Sequence, residues 1–166
     1  MKKHLLLTLT AILMVSITTM AQSKQTETEY DFWVGEWEAT WKKADGTIQK
    51  GANRIEKTLD GKVLQEHFSD PNTGFKGTSI SVFNPRTQTW HQAWADNQGG
   101  YFNFVGETIG NKKVFKTLPV EKDGKTIIQR MVFYNITDKT MTWDWEASQD
   151  GGETWKLNWQ IEYSKK

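Results

Sequence analysis

Chain reversals recur along almost the whole sequence, and their spacing limits the possible folds more than any other feature. Asp45-Gly46, Asp60-Gly61, Asp70 to Gly74, Asn84 to Thr87, Asn97 to Gly100, Gly110-Asn111, Asp123-Gly124, Thr137 to Lys139 and Asp150 to Gly152 follow one another at intervals of about ten to fifteen residues. Each offers residues that tolerate positive φ or preset a tight turn. The interval leaves room for one strand between turns and none for a crossover helix, so antiparallel hairpins are expected rather than βαβ units. Between the turns, apolar and polar residues alternate. Met141, Trp143, Trp145 and Ala147 share one face, with Thr142, Asp144, Glu146 and Ser148 on the other. Trp155, Leu157, Trp159, Ile161 and Tyr163 repeat the pattern, whereas the run from Ile127 to Tyr134 is largely apolar on both faces.

This pattern predicts strands over 36–44, 47–58, 62–69, 75–84, 88–96, 100–109, 112–118, 125–136, 139–148 and 154–164. One short helix is expected over 27–34, ended by Gly35. About ten sequential strands must hide their edges, and closure into an antiparallel up-and-down barrel does so completely. The all-β class is therefore assigned, with a twisted sandwich as the alternative and no fixed-period repeat to suggest a propeller.

The first 21 residues read as an export leader outside the fold. Lys2 and Lys3 precede the apolar run Leu5 to Ile17, which is too short to cross a bilayer, and Thr19-Met20-Ala21 has the small-x-Ala form of a cleavage site. Gln22 to Thr28 reads as a polar, flexible lead-in, and residues 29–166 as one barrel domain. Cleavage would place the mature protein in the periplasm or outside the cell, with no membrane insertion of the mature chain. The chain has no cysteine, so packing alone must stabilise it. Loss of the two leader lysines turns 21 basic and 20 acidic residues into 19 and 20, a near-neutral balance that offers nothing to nucleic acid.

Asp31-Phe32-Trp33-Val34-Gly35-Glu36-Trp37 is the most specific stretch. A glycine two residues before a tryptophan, at the start of the first strand, suits a tight entry followed by an aromatic plug of the barrel end. With Phe75 to Ser79, Trp90 to Asn97 and Ser148 to Trp155, this stretch resembles the DUF1579 family of secreted bacterial proteins, over most of residues 30–164. The resemblance implies a barrel of the lipocalin or fatty-acid-binding-protein kind and brings no catalytic residues. Ser148-Gln149-Asp150-Gly151-Gly152-Glu153-Thr154-Trp155 also fits the Asp-box pattern, read here as a braced turn.

Mid-strand polar residues are the candidates for binding a small molecule inside the barrel. Arg54 and Arg130 stand out because the chain has only three arginines, and an inward arginine fork would hold a carboxylate. The alternative is that both pair with Glu56, Glu66 or Glu146 for stability. Glu66 completes the mid-strand set, and Trp90, Gln92 and Trp94 share one strand face. That face is an aromatic wall with a polar handle if it points inward, and a sugar-stacking surface if it points outward. No cofactor is expected, with haem on His67 or His91 as the alternative. No nucleophile elbow, phosphate loop or metalloprotease motif occurs, so a ligand carrier is favoured over a barrel enzyme, a carbohydrate-contacting module or a solid structural protein. Mass spectrometry of the exported protein is expected to find Gln22 as its first residue; Met1 in the envelope fraction would overturn the leader assignment.

Overall fold

The computed structural model describes residues 24–166; the leader and the first two residues of the lead-in lie outside the described residues. Eleven strands follow in order: β1 Gly35–Lys42, β2 Ile48–Thr58, β3 Val63–Asp70, β4 Phe75–Asn84, β5 Thr89–Asp96, β6 Tyr101–Ile109, β7 Lys112–Lys116, β8 Val120–Lys122, β9 Lys125–Tyr134, β10 Thr140–Ser148 and β11 Lys156–Lys165. Every neighbouring pair is antiparallel, and β11 returns to pair with β1, so the sheet closes. Ten strands form the ring. β8 is the continuation of the β7 edge: Lys116 lies opposite Arg130 and Val120 opposite Ile127, with Leu118-Pro119 interrupting the ladder between them. Proline has no N–H to donate, which accounts for the break that the sequence pattern did not reveal.

The expected helix over 27–34 is corrected to a single 3-10 turn, Asp31–Trp33, and no α-helix occurs among the described residues. The segment is too short to bury a helical face, and it instead delivers aromatic side chains into the barrel. Tyr30, Trp33 and Trp37 are all buried. Tyr30 stacks on Phe115 with centroids 4.3 Å apart, Trp33 meets Phe133 edge-on at 5.3 Å, and Trp37 Nε1 donates to Trp33 O at 2.8 Å. The Tyr30 hydroxyl donates to Val114 O at 2.7 Å, and burial pushes its phenol well above the usual range.

From Lys24 onward the lead-in docks on the barrel. Gln25 is buried; its Oε1 accepts from Trp90 N at 2.9 Å, and Thr26 O accepts from Trp90 Nε1 at 2.9 Å. Gly106 leaves the room for this approach, since a Cβ there would lie 2.8 Å from Trp90 Cβ and 3.1 Å from the Tyr30 hydroxyl. Together these residues close one end of the barrel.

Alternation holds along most strands but fails once in β11. The register slips between Trp145 and Glu146, whose partners are Trp159 and Leu157, so Asn158 is the extra residue. Trp159, Ile161 and Tyr163 therefore face the interior, while Leu157 is left 48% exposed, against the single apolar face expected for this strand. The Asp-box turn is braced as expected. Ser148 Oγ donates to Asp150 Oδ1 at 2.6 Å, Gly152 N donates to Ser148 Oγ at 2.8 Å and Thr154 N donates to Asp150 Oδ1 at 3.0 Å. These contacts hold the Asp150 carboxyl well below its usual range.

Tyr30→Phe removes the buried donor to Val114 O and should cost about 1–2 kcal/mol, read as a few degrees in Tm. Tyr101→Phe, at a ring 64% exposed, should stay within about 0.5 kcal/mol of wild type by the same measurement.

Candidate functional site

The plug fills one half of the barrel and leaves the other half hollow. A cavity of about 230 Å³ lies between the plug and the mouth formed by the β3–β4, β5–β6 and β10–β11 ends. Its wall is almost entirely aromatic. On one side Trp143, Trp145 and Trp159 project from β10 and β11; Trp143 and Trp145 lie parallel at 6.5 Å, and Trp159 stands edge-on to Trp143 at 5.7 Å. On the other side Phe102 and Phe104 of β6 meet Trp145 edge-on at 5.6 and 6.0 Å. Phe68, Phe75 and Trp94 complete the rim, and Met131, Ile161 and Tyr163 the base.

Trp94 sits where it does because residue 77 is glycine. Ser79 lies opposite Trp94 in the β4–β5 ladder, and the indole folds across the neighbouring inward position. A Cβ at Gly77 would come within 1.9 Å of Trp94 Cζ2, so the bare glycine backbone is the surface on which this wall residue rests.

Among the described residues, two acidic side chains line the cavity, and no lysine, arginine or histidine does. Asp96 is at the mouth. Its Oδ1 accepts from Gln98 N and Gly100 N, both at 2.9 Å, and its Oδ2 from Trp94 Nε1 at 3.2 Å, which outweighs its partial desolvation and keeps its carboxyl below the usual range. Glu66, deeper in the barrel, is 5% exposed. Asn53 Nδ2 donates to its Oε1 at 2.8 Å and Ser79 Oγ to its Oε2 at 2.6 Å. Behind Ser79, Gln92 Nε2 donates to Ser79 Oγ at 3.2 Å and to Ser81 Oγ at 3.0 Å. Glu66 has no salt-bridge partner among the described residues. Desolvation in this apolar setting outweighs the two hydrogen bonds and raises its carboxyl to about 7.

The residues singled out from sequence divide cleanly. Glu66 and Trp94 line the cavity; Gln92 lies behind it in the Glu66 network; Trp90 faces inward but belongs to the plug. Arg54 is corrected to the outer surface, where it pairs with Glu56 at 2.7 Å with roughly half its side chain in water. Arg130 also lies outside the cavity: Nε donates to Glu146 Oε2 at 2.6 Å, and the guanidinium stacks 3.6 Å from the Trp155 ring. Alternation decides this, because the inward neighbours of Arg130 on β9 are Met131 and Phe133. The arginine grip on a carboxylate is thus replaced by a scaffold role, the alternative weighed for both residues. The two described histidines are likewise away from the cavity: His67 stands 3.8 Å from Glu56, and His91 is exposed.

Sequence reasoning did not single out most of the wall. Trp143, Trp145 and Trp159 were legible only as members of one strand face, and Phe102 and Phe104 gave no signal, because period-two alternation says which residues share a face and not whether a ring meets another ring or empty space. The chain matches no protein-family model and no curated protein.

The buried Glu66 should make stability depend on pH. The unfolded chain ionises this carboxyl in the usual range while the folded protein holds the proton up to about 7. Its contribution therefore falls as pH rises from the ordinary carboxyl range through about 7 and then levels off, by about 3 kcal/mol in all. Denaturant titrations between pH 4 and 8.5 should show Glu66→Gln gaining stability on wild type as pH rises; parallel curves would show that the carboxyl is not held protonated.

Proposed function

We propose that this protein is an exported binding protein for a small, compact and largely apolar molecule held inside the barrel. The observation that carries the reading is the aromatic-walled cavity of about 230 Å³, plugged at one end and open at the other. Ligand sites in barrels of this architecture lie in the mouth and are lined by apolar and aromatic side chains with a few polar groups, and this cavity has that composition. Its size favours a bicyclic aromatic over a long acyl chain: an apolar cavity of about 150 Å³ suffices for benzene. The absence of lysine, arginine and histidine from its lining argues against the anionic head group that the arginines suggested.

The rival readings have less support. Sugar stacking would need Trp90 and Trp94 on the outer face, and both point inward. A solid structural barrel would need the upper half filled. The leader suits a carrier working outside the cytoplasm, with a fold that holds without disulfides.

Isothermal titration with 2-naphthylethanol, a neutral bicyclic probe, tests the reading. Saturable one-to-one binding is expected. Trp145→Ala should weaken it by roughly tenfold through loss of ring contacts. Trp155→Ala, outside the barrel, should leave it unchanged. Absence of binding by neutral and charged naphthyl probes alike would sink the carrier reading.

A further inference from the structure

The hollow half of the barrel combines two features that point to a particular ligand charge. Its wall presents the faces and edges of aromatic rings, and its deep end holds a carboxylate with no cationic partner among the described residues. Aromatic faces attract cations through the ring quadrupole, most strongly for tryptophan, and desolvation strengthens the attraction. A buried carboxylate without a counter-charge is costly, and a bound cation removes that cost. The polar groups around Glu66 add an excess of acceptors: Asn53 Oδ1 and Gln92 Oε1 are buried without a hydrogen-bond partner. Such a shell welcomes a donor and repels an anion.

We propose that the barrel is selective for protonated amines, with the ligand's ammonium group placed against the Glu66 carboxylate and its aromatic body among Trp94, Trp143, Trp145 and Trp159. This rests on the carrier reading above and adds the ligand's charge to it. An aryl-alkylamine fits both demands at once, since the cavity takes a bicyclic ring and the two-carbon tether carries the nitrogen deeper. The ammonium donates one hydrogen bond to Glu66, whose remaining lone pairs are free beyond those used by Asn53 and Ser79. Tyr163, on β11, is the third titratable group of the lining; its burial near Glu66 keeps the phenol neutral, so it adds no charge. Asp96 stays ionised at the mouth and draws the cation in.

The pH dependence follows from these groups. Between about pH 5.5 and 8.5 Asp96 remains charged and Tyr163 neutral, while Glu66, with its carboxyl at about 7, loses its proton. The ammonium of an alkylamine keeps its charge throughout, as the lysine ammonium does. Preference for amine over the matching alcohol should therefore grow as pH rises.

Titration of the purified protein with 2-naphthylethylamine, 2-naphthylethanol and 2-naphthylacetate separates the outcomes. At pH 8.5 the amine should bind at least roughly tenfold more tightly than the alcohol, and the acetate more weakly than either. The amine-to-alcohol ratio should fall toward one at pH 5.5. Glu66→Gln should abolish both the ratio and its pH dependence. The pH series on wild-type protein tests the same point without any substitution, should Glu66→Gln fail to fold. Equal binding of amine and alcohol across the pH range would overturn amine selectivity and leave the carrier reading standing. Loss of the preference in Asp96→Asn and not in Glu66→Gln would overturn the assignment to Glu66. Failure of all three probes to bind would overturn both.

Discussion

The aromatic plug built from Tyr30, Trp33 and Trp37 is the constraint on which the rest of this molecule depends. A ring of ten strands encloses more space than its own inward side chains fill, since about eight strands already approach the limit of a solid interior. The chain meets this by threading its N-terminal segment across one end. Tyr30 and Trp33 pack against Phe115 and Phe133 from the opposite side of the ring, so strands far apart in sequence share one aromatic cluster. The plug also supplies polar closure. The Tyr30 hydroxyl satisfies Val114 O, and the side chain of Gln25 satisfies Trp90 N where the β5–β6 ladder has not yet begun. Because the plug occupies only the lower half, the upper half is left as a cavity instead of a second core.

Within that hollow the polar groups are few and connected. Asn53, Glu66, Ser79, Ser81 and Gln92 come from four consecutive strands and meet through inward positions that would otherwise be apolar. Such a network stabilises little by itself, because a buried carboxylate costs more to desolvate than two neutral hydrogen bonds return. Under the proposed function, its place at the deep end of an aromatic cavity serves recognition rather than folding. Asp96 shows the contrast: placed at the mouth with two backbone N–H donors, it remains an ordinary anion.

The charged residues that stood out in the sequence work on the other face of the sheet. Arg130, Glu146 and Trp155 form a stacked ion pair between β9, β10 and the Asp-box turn, which ties that turn to the barrel wall. Glu146 lies directly opposite Arg130 in the ladder, so the pair is a cross-strand contact set by register. Arg54 and Glu56 are neighbours on one exposed face of β2 and are screened by water.

Turn chemistry and period-two alternation are local properties, and they were enough to place the ten strands of the ring within a few residues, to favour a closed barrel over a twisted sandwich and to identify the 31–37 stretch as a plug. Alternation also put Trp90, Gln92 and Trp94 on one face. Three things were not local. Which face was inside depended on the register of the closed ring, and that register sent Arg54 and Arg130 outward while drawing Glu66 inward. The Asn158 bulge and the break at Leu118-Pro119 changed faces and strand count through pairing with neighbours that no single strand encodes. The cavity itself is a difference between enclosed volume and filled volume. A sequence lists the side chains available to fill the barrel; only the closed sheet, with its plug at one end and Gly77 supporting Trp94 at the other, decides which of them meet a neighbour and which face an empty space.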